Sequence, residues 1–206
     1  MSFFITLEGV EFSGKSTQAE RLTAYLKKRG FEVVKVFEPG STPLGERVRE
    51  ILLHFKDIPL SPLAELFLFE SARAQLVAEV IKPALNEGKI VICDRFTDST
   101  LAYQVYGRGL ERELVEKLNE LATQGISPDL TFYLRVPLER VRERREKRKG
   151  LDRFEEEDLD FHRRVEEGYE KLAREFSSRI VAVDFGNVDE VFSRLIQVLE
   201  EKLAGR

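Results

Sequence analysis

"LEGVEFSGKSTQ", residues 7–18, sets Gly9, Gly14, Lys15 and Ser16 at the spacing of a phosphate-binding loop, with four residues between the glycines. Glycine at a tight turn lets backbone N–H groups converge on an anion without a side chain in the way, and a helix starting there adds partial positive charge. Lys15 can reach β- and γ-phosphates, and the Ser16 hydroxyl can ligate Mg²⁺. The run before the loop, "FFITL" (3–7), is apolar and reads as a strand; residues 15–29 follow at helical period and stop at Gly30, a natural left-handed terminus. Strand, loop and helix together predict a P-loop in which Gly9, Val10, Glu11, Phe12, Ser13, Gly14, Lys15, Ser16 and Thr17 surround a nucleoside triphosphate. Such loops serve switches, motors, pumps and kinases alike, so the acceptor must be read elsewhere.

Working outward, four more short runs rich in β-branched or aromatic residues alternate with helical patterns: "EVVKVF" (32–37), "KIVIC" (89–93), "LTFYLR" (130–135) and "RIVAV" (179–183). Several are apolar almost throughout, as strands covered on both faces are. Ser61 and Pro62 look like the N-cap and first residue of a long helix to about Leu85, and segments 111–123, 138–149, 155–176 and 188–203 also read as helices. The alternation predicts an α/β fold, a five-stranded parallel sheet with helices on both faces, in one domain over residues 1–206.

Charge and composition exclude several classes. A net charge of −4 argues against a sequence-independent nucleic-acid binder, so no nucleic-acid partner is expected. The single cysteine, Cys93, excludes an internal disulfide, fits a reducing cytoplasm and falls in a strand, where it reads as core. The start "MSFFITLEG" reads as strand rather than leader, and no run approaches the roughly 18 apolar residues of a membrane helix, so no membrane partner is expected. His54 and His162 lie far apart without ligand-like partners and read as structural or solvent-facing.

"CDRFTDSTLAYQ", residues 93–104, follows the third strand, and no base-reading "NKxD" motif is present, which weakens a GTPase reading. Asp94 at a strand's carboxyl end is placed to order Mg²⁺ beside Ser16, and Arg95 would point into the crevice where parallel sheets place ligands.

With "EPGSTPLGERVREIL" (38–52), "LFLFESARAQLV" (66–77), "DRFTDSTLAYQ" (94–104) and "LDRFEEEDLDF" (151–161) added to the loop, the chain resembles the thymidylate kinase family over essentially its whole length. The resemblance implies transfer of the γ-phosphoryl of ATP to dTMP with Mg²⁺, giving dTDP, by a cytoplasmic homodimer. It implies that Phe69 stacks on the thymine while Arg73, four residues on and on the same helical face, donates to a base carbonyl. It assigns Arg49 and Arg95 to the acceptor monophosphate and Tyr103 to the sugar C2′, favouring deoxyribose. Glu11 would meet the sugar 3′-hydroxyl or the metal; Ser99, Thr100, Gln104 and Pro39 would line the base pocket. Read alone, Arg49 is one charge on an exposed helix face, and Phe69 with Arg73 is a core ring beside a solvated cation.

Phosphoryl transfer between phosphates needs alignment and charge neutralisation more than a base. Some family members carry an arginine inside the loop where this chain has Phe12, so positive charge must come from elsewhere. "RVRERREKRKGLDR" (140–153) is the richest source, and the family places a mobile lid there, at about 140–155. The match puts Arg148 and Arg153 at catalytic lid positions alongside Lys15 and Arg95, with Gly150 as a bend. Arg144, or less favourably Arg142, would stack on adenine, with Gly186 and Asn187 forming the opposite wall. Phe37 and Ser41 depart from an Arg-Glu-Pro-Gly-Gly pattern common in bacterial members. Two rivals stay open: a kinase for another or a broader range of nucleoside monophosphates, and a P-loop ATPase switch.

Overall fold

The computed structural model describes residues 2–204. In chain order the elements are β1 (Phe3–Glu8), α1 (Lys15–Lys28), β2 (Val33–Phe37), α2 (Pro43–Leu53), α3 (Pro62–Leu76), β3 (Ile90–Asp94), α4 (Thr97–Thr100), α5 (Arg112–Thr123), β4 (Leu130–Leu134), α6 (Leu138–Lys147), α7 (Leu159–Glu175), β5 (Ile180–Val183) and α8 (Val188–Ala204). The strands form one parallel sheet in the order β2-β3-β1-β4-β5, with Phe3 opposite Ile90 and Ile5 opposite Leu130. All five expected strands are present, and β1, which leads into the phosphate loop, is central.

Period-two alternation along β1 divides the core. Phe3, Ile5 and Leu7 pack with Leu22 and Leu26 of α1 and Leu195 and Leu199 of α8. Phe4 faces the other way, against Val36, Val91, Cys93 and the C-terminal half of the α3 rod. The same alternation places Thr6 and Glu8 on the Phe4 side, where they are wholly buried. Buried polar groups need partners. Thr6 and Thr131 hydroxyls bond each other at 2.7 Å, and Arg179 donates to both oxygens of buried Asp98 at 2.7 Å and to Thr131 Oγ1 at 3.0 Å.

Several helices differ from expectation. The helix predicted over 61–85 starts at Pro62 with Ser61 Oγ accepting from Ala64 N, and it continues through a π-helical turn, Val77–Ile81, into Lys82–Asn86. The helix predicted from 155 begins at Leu159, because Asp158 caps it (Phe161 N to Oδ1, 2.7 Å) and Asp152 Oδ1 holds residues 154 and 155 in a turn. Two helices have no bounds in the sequence reading, although it puts Arg49 of α2 on a helix face. For α2 the signal was available: Thr42 caps Gly45 N at 2.9 Å with Pro43 at the first position, the pattern already read at 61–62. The other, α4, runs on as a π-helical stretch, Leu101–Gly107, and packs on α7.

Removing one partner of a buried ion pair strands a charge and costs about 3–5 kcal/mol. Arg179→Met should therefore lower the melting temperature strongly, and Asp98→Leu/Arg179→Met should lower it less. Calorimetry of the single and double variants checks this.

Candidate active site

The phosphate loop connects β1 to α1. Gly9 has φ 139°, and a Cβ there would lie 2.6 Å from the Leu134 carbonyl oxygen of the neighbouring strand, so only glycine fits. Gly14, at φ 91°, turns the chain into α1. Lys15 folds back over its own loop, donating to Gly9 O at 3.0 Å, Val10 O at 2.8 Å and Ser13 Oγ at 3.1 Å. Burial and the neighbouring Arg95 lower the Lys15 ammonium pKa to about 8. Ser16 Oγ donates to Asp94 Oδ2 at 2.6 Å, joining the start of α1 to the end of β3.

One residue further, Arg95 has φ 72°, in the left-handed region that costs a non-glycine residue about 1–3 kcal/mol and that clusters at functional sites. Its backbone N–H bonds Leu7 O, and its guanidinium donates to Gly9 O at 2.9 Å, Ser99 Oγ, Tyr169 OH and Tyr103 OH at 3.2 Å, and Glu11 Oε1 at 3.1 Å. Burial works against this charge; Tyr103, Tyr169, Glu11 and Asp94 overcome it and keep the guanidinium protonated. Glu11 is likewise held ionised. Burial pushes its carboxyl up, but His162, Arg95, Lys15 and Tyr103 together bring its pKa down to about 2. Beneath them Glu8 accepts from Phe96 N, Ser99 Oγ and Tyr169 OH, and burial with nearby Asp98 pushes its pKa up to about 7.

These groups form the floor of a cleft of about 490 Å³. Every residue expected at the acceptor lines it: Glu11, Pro39, Arg49, Phe69, Arg73, Arg95, Ser99, Thr100, Tyr103 and Gln104, together with Phe12, Lys15, Ser16, Asp94 and Arg148. Arg49 is half-buried rather than solvated; it donates to Pro39 O at 2.9 Å and sits 5.3 Å from the Phe37 ring centre. Arg73 is 1% exposed. It is pinned by Glu38 (2.6 and 2.9 Å), Glu70 (2.9 Å), Thr100 (2.8 Å) and Asn119 (2.7 Å). Half-buried Phe69 and buried Tyr103 both meet the Phe154 ring, with centroids 5.7 and 5.9 Å apart.

A smaller cavity of about 170 Å³ opens on the other side of the loop, lined by Ser13, Gly14, Thr17, Arg144 and Gly186. Arg144 donates to Phe12 O and stands 5.9 Å from the Phe185 ring centre, whereas Arg142 pairs with Glu146 on the exposed face of α6. Phe185 supplies the aromatic wall here, and Asn187 does not line it. Its Oδ1 caps α8 instead, accepting from Asp189 and Glu190 N–H at 3.0 Å.

The lid arginines part company. Arg148 reaches the cleft, pairing with Glu155 at 2.9 Å and lying 5.6 Å from the centre of the Phe12 ring. Arg153 does not; its guanidinium donates to the carbonyls of Leu52, Phe55 and Ile58, clamping the loop after α2. Three carbonyls in reach satisfy a guanidinium fork, so Arg153, expected beside the moving phosphoryl group, is held here away from the cleft. Cys93 is buried and free, and His54 is exposed, both as expected.

Sequence reasoning missed Glu38, Glu70 and Asn119 around Arg73, and Phe154, Glu155 and Asp152 on the rim. Glu70 stands three residues before Arg73, a helical ion-pair spacing that could have been read. No sequence signal announces Asn119.

A thymidylate kinase family profile matches residues 7–196. The chain belongs to the thymidylate kinase family. It is 50% identical over 202 residues to a thymidylate kinase of Syntrophotalea carbinolica, covering 95% of this chain and 94% of that one. To one from Thermoanaerobacter sp. it is 47% identical over 201 residues, covering 97% and 98%. A crystal structure of thymidylate kinase from Ehrlichia chaffeensis superposes with a TM-score of 0.81 at 35% identity, covering 96% of this chain and 98% of that one.

From the two arginine environments, Arg148→Ala should cut turnover by about 10³-fold, the scale of a lost transition-state arginine. Arg153→Ala should chiefly lower the melting temperature and change turnover far less. Steady-state rates and thermal melts of both variants, made side by side, decide it.

Proposed function

We propose that the cleft aligns ATP and dTMP end to end on either side of the phosphate loop and transfers the γ-phosphoryl group, releasing ADP and dTDP. Membership of the thymidylate kinase family carries ATP-dependent phosphorylation of dTMP; the division of labour among residues is our reading. The observation that supports it most is the Arg95 bond to Gly9 O at 2.9 Å. It ties the acceptor arginine to the donor loop and so fixes the distance between two polyanions.

On the acceptor side, Phe69 would stack on the pyrimidine and Arg73, already held by two carboxylates, would offer a remaining N–H to a base carbonyl. Tyr103, buried against Glu11, would crowd C2′ and disfavour a ribose hydroxyl. Arg49 and Arg95 would take the monophosphate. On the donor side, Lys15 would leave the loop carbonyls for β- and γ-oxygens, while Arg144 and Phe185 flank the adenine. Arg148, carried on the Phe12 ring, would bring charge to the moving group in place of a loop arginine. No general base is required, because the attacking oxygen is already anionic.

Ser16 Oγ and Asp94 Oδ2, 2.6 Å apart at the loop mouth, are hard oxygen donors of the kind Mg²⁺ takes with substrate phosphates. The pair fits that ion, which would supply charge neutralisation on the phosphates. The reading extends to a cytoplasmic homodimer, as the family resemblance implies. Among the described residues no helix is long and apolar enough to cross a membrane.

An ADP-release assay across dTMP, dUMP, UMP, CMP and AMP should show dTMP as the preferred acceptor; preference for any ribonucleotide would overturn the substrate assignment. A second expectation concerns pH. Lys15 has its pKa depressed to about 8, so it is charged below that pH and neutral above it. Because kcat/KM reports the free enzyme, the value for ATP should fall as pH rises through about 8, and a flat profile from about pH 7 to 9 would contradict the role given to Lys15.

A further inference from the structure

Glu11 presents a conflict that the reading above does not resolve. Its Oε1 accepts from Arg95 Nη2 at 3.1 Å and from Tyr103 OH, so its carboxylate is the counter-ion of the guanidinium assigned to the acceptor phosphate. A phosphate arriving on Arg95 meets that carboxylate head on, and like charges in a buried site repel strongly. Glu11 must then give up Arg95, keeping only the Tyr103 hydroxyl, and takes a second donor in place of the guanidinium.

One is in place. Glu11 Oε2 is buried with His162 Nδ1 at 3.5 Å, near enough to favour the carboxylate but too long and misaligned for an ordinary hydrogen bond. His162 is 2% exposed, in the first turn of α7 just after the lid, and neither ring nitrogen makes a hydrogen bond. Three polar atoms buried together without bonds are unusual, and each calls for an explanation. A neutral imidazole carries one N–H and can place it on Nδ1. A shift of about half an ångström would bring the pair to ordinary N–H···O length, giving Glu11 a charge-assisted bond in exchange for Arg95.

We propose that His162 is a positioning residue that receives the Glu11 carboxylate when the acceptor phosphate displaces it from Arg95. This rests on Arg95 being the acceptor-phosphate arginine.

The chain has two histidines, His54 and His162, so ¹⁵N–¹H spectra of the ring nitrogens are assignable with a His54→Gln variant. On saturation with dTMP, His162 Nδ1 should take the shift of a protonated, hydrogen-bonded nitrogen, and this change should vanish in Glu11→Gln. In kinetics, His162→Phe should raise KM for dTMP about tenfold or more, the weight of a hydrogen bond to a charged group, with kcat little changed. His162→Asn, which keeps a donor, should recover part of the loss, and His162→Phe should add nothing in the Glu11→Gln background. An unshifted His162 in the dTMP-saturated protein overturns the proposal without any variant having to fold, as does an equal KM penalty in both backgrounds. Failure of dTMP to bind the unaltered protein in calorimetry would instead overturn the acceptor reading, and this proposal with it.

Discussion

Two phosphate-bearing molecules repel, and a protein that brings them together must offer fixed positive charge without letting it collapse onto its own carboxylates. On the reading proposed above, the Arg95 guanidinium is where this chain meets that constraint. It is held by a carbonyl of the phosphate loop, two tyrosines, a serine and Glu11, drawn from the phosphate loop, α4, the π-helical stretch after it and α7. A guanidinium held in one geometry loses little freedom when a ligand arrives, which is the advantage of a preorganised charge over a mobile lysine. The backbone at Arg95 is in the left-handed region, and the surrounding bonds determine it strongly enough to keep it there.

The same logic explains why the sheet's second face is polar near its carboxyl end. Apolar residues alternate along β1 until Thr6 and Glu8, which face α4 and α7 instead of a greasy core. Their partners, Thr131, Ser99 and Tyr169, lie beneath the cleft floor. Stability is therefore built by α1 and α8 on one face, and by α3, α5 and α7 around the site on the other.

The phosphate loop was legible because its chemistry forces a local spacing, and the strands because burial on both faces makes them continuously apolar. Arg73 could be placed on the correct helical face, but its burial could not be read: three of its four partners, Glu38, Thr100 and Asn119, come from three other segments and meet it only in the fold. The start of α7 was misplaced because the turn at Asp152 reads as helix by composition and is undone by side-chain bonds to backbone N–H groups. In the lid, repeated arginines make register invisible to sequence; only the carbonyls facing Arg153 and the ring under Arg148 tell the two apart.

Lys15 resting on Gly9, Val10 and Ser13 changes how donor affinity should be understood. If the ammonium takes the nucleotide as proposed, capture is a swap of acceptors, and only the difference between loop carbonyls and phosphate oxygens counts toward holding it. After transfer, the shortened nucleotide faces a rival already built into the loop. On that reading, self-solvation of the empty cradle would help clear it for the next round.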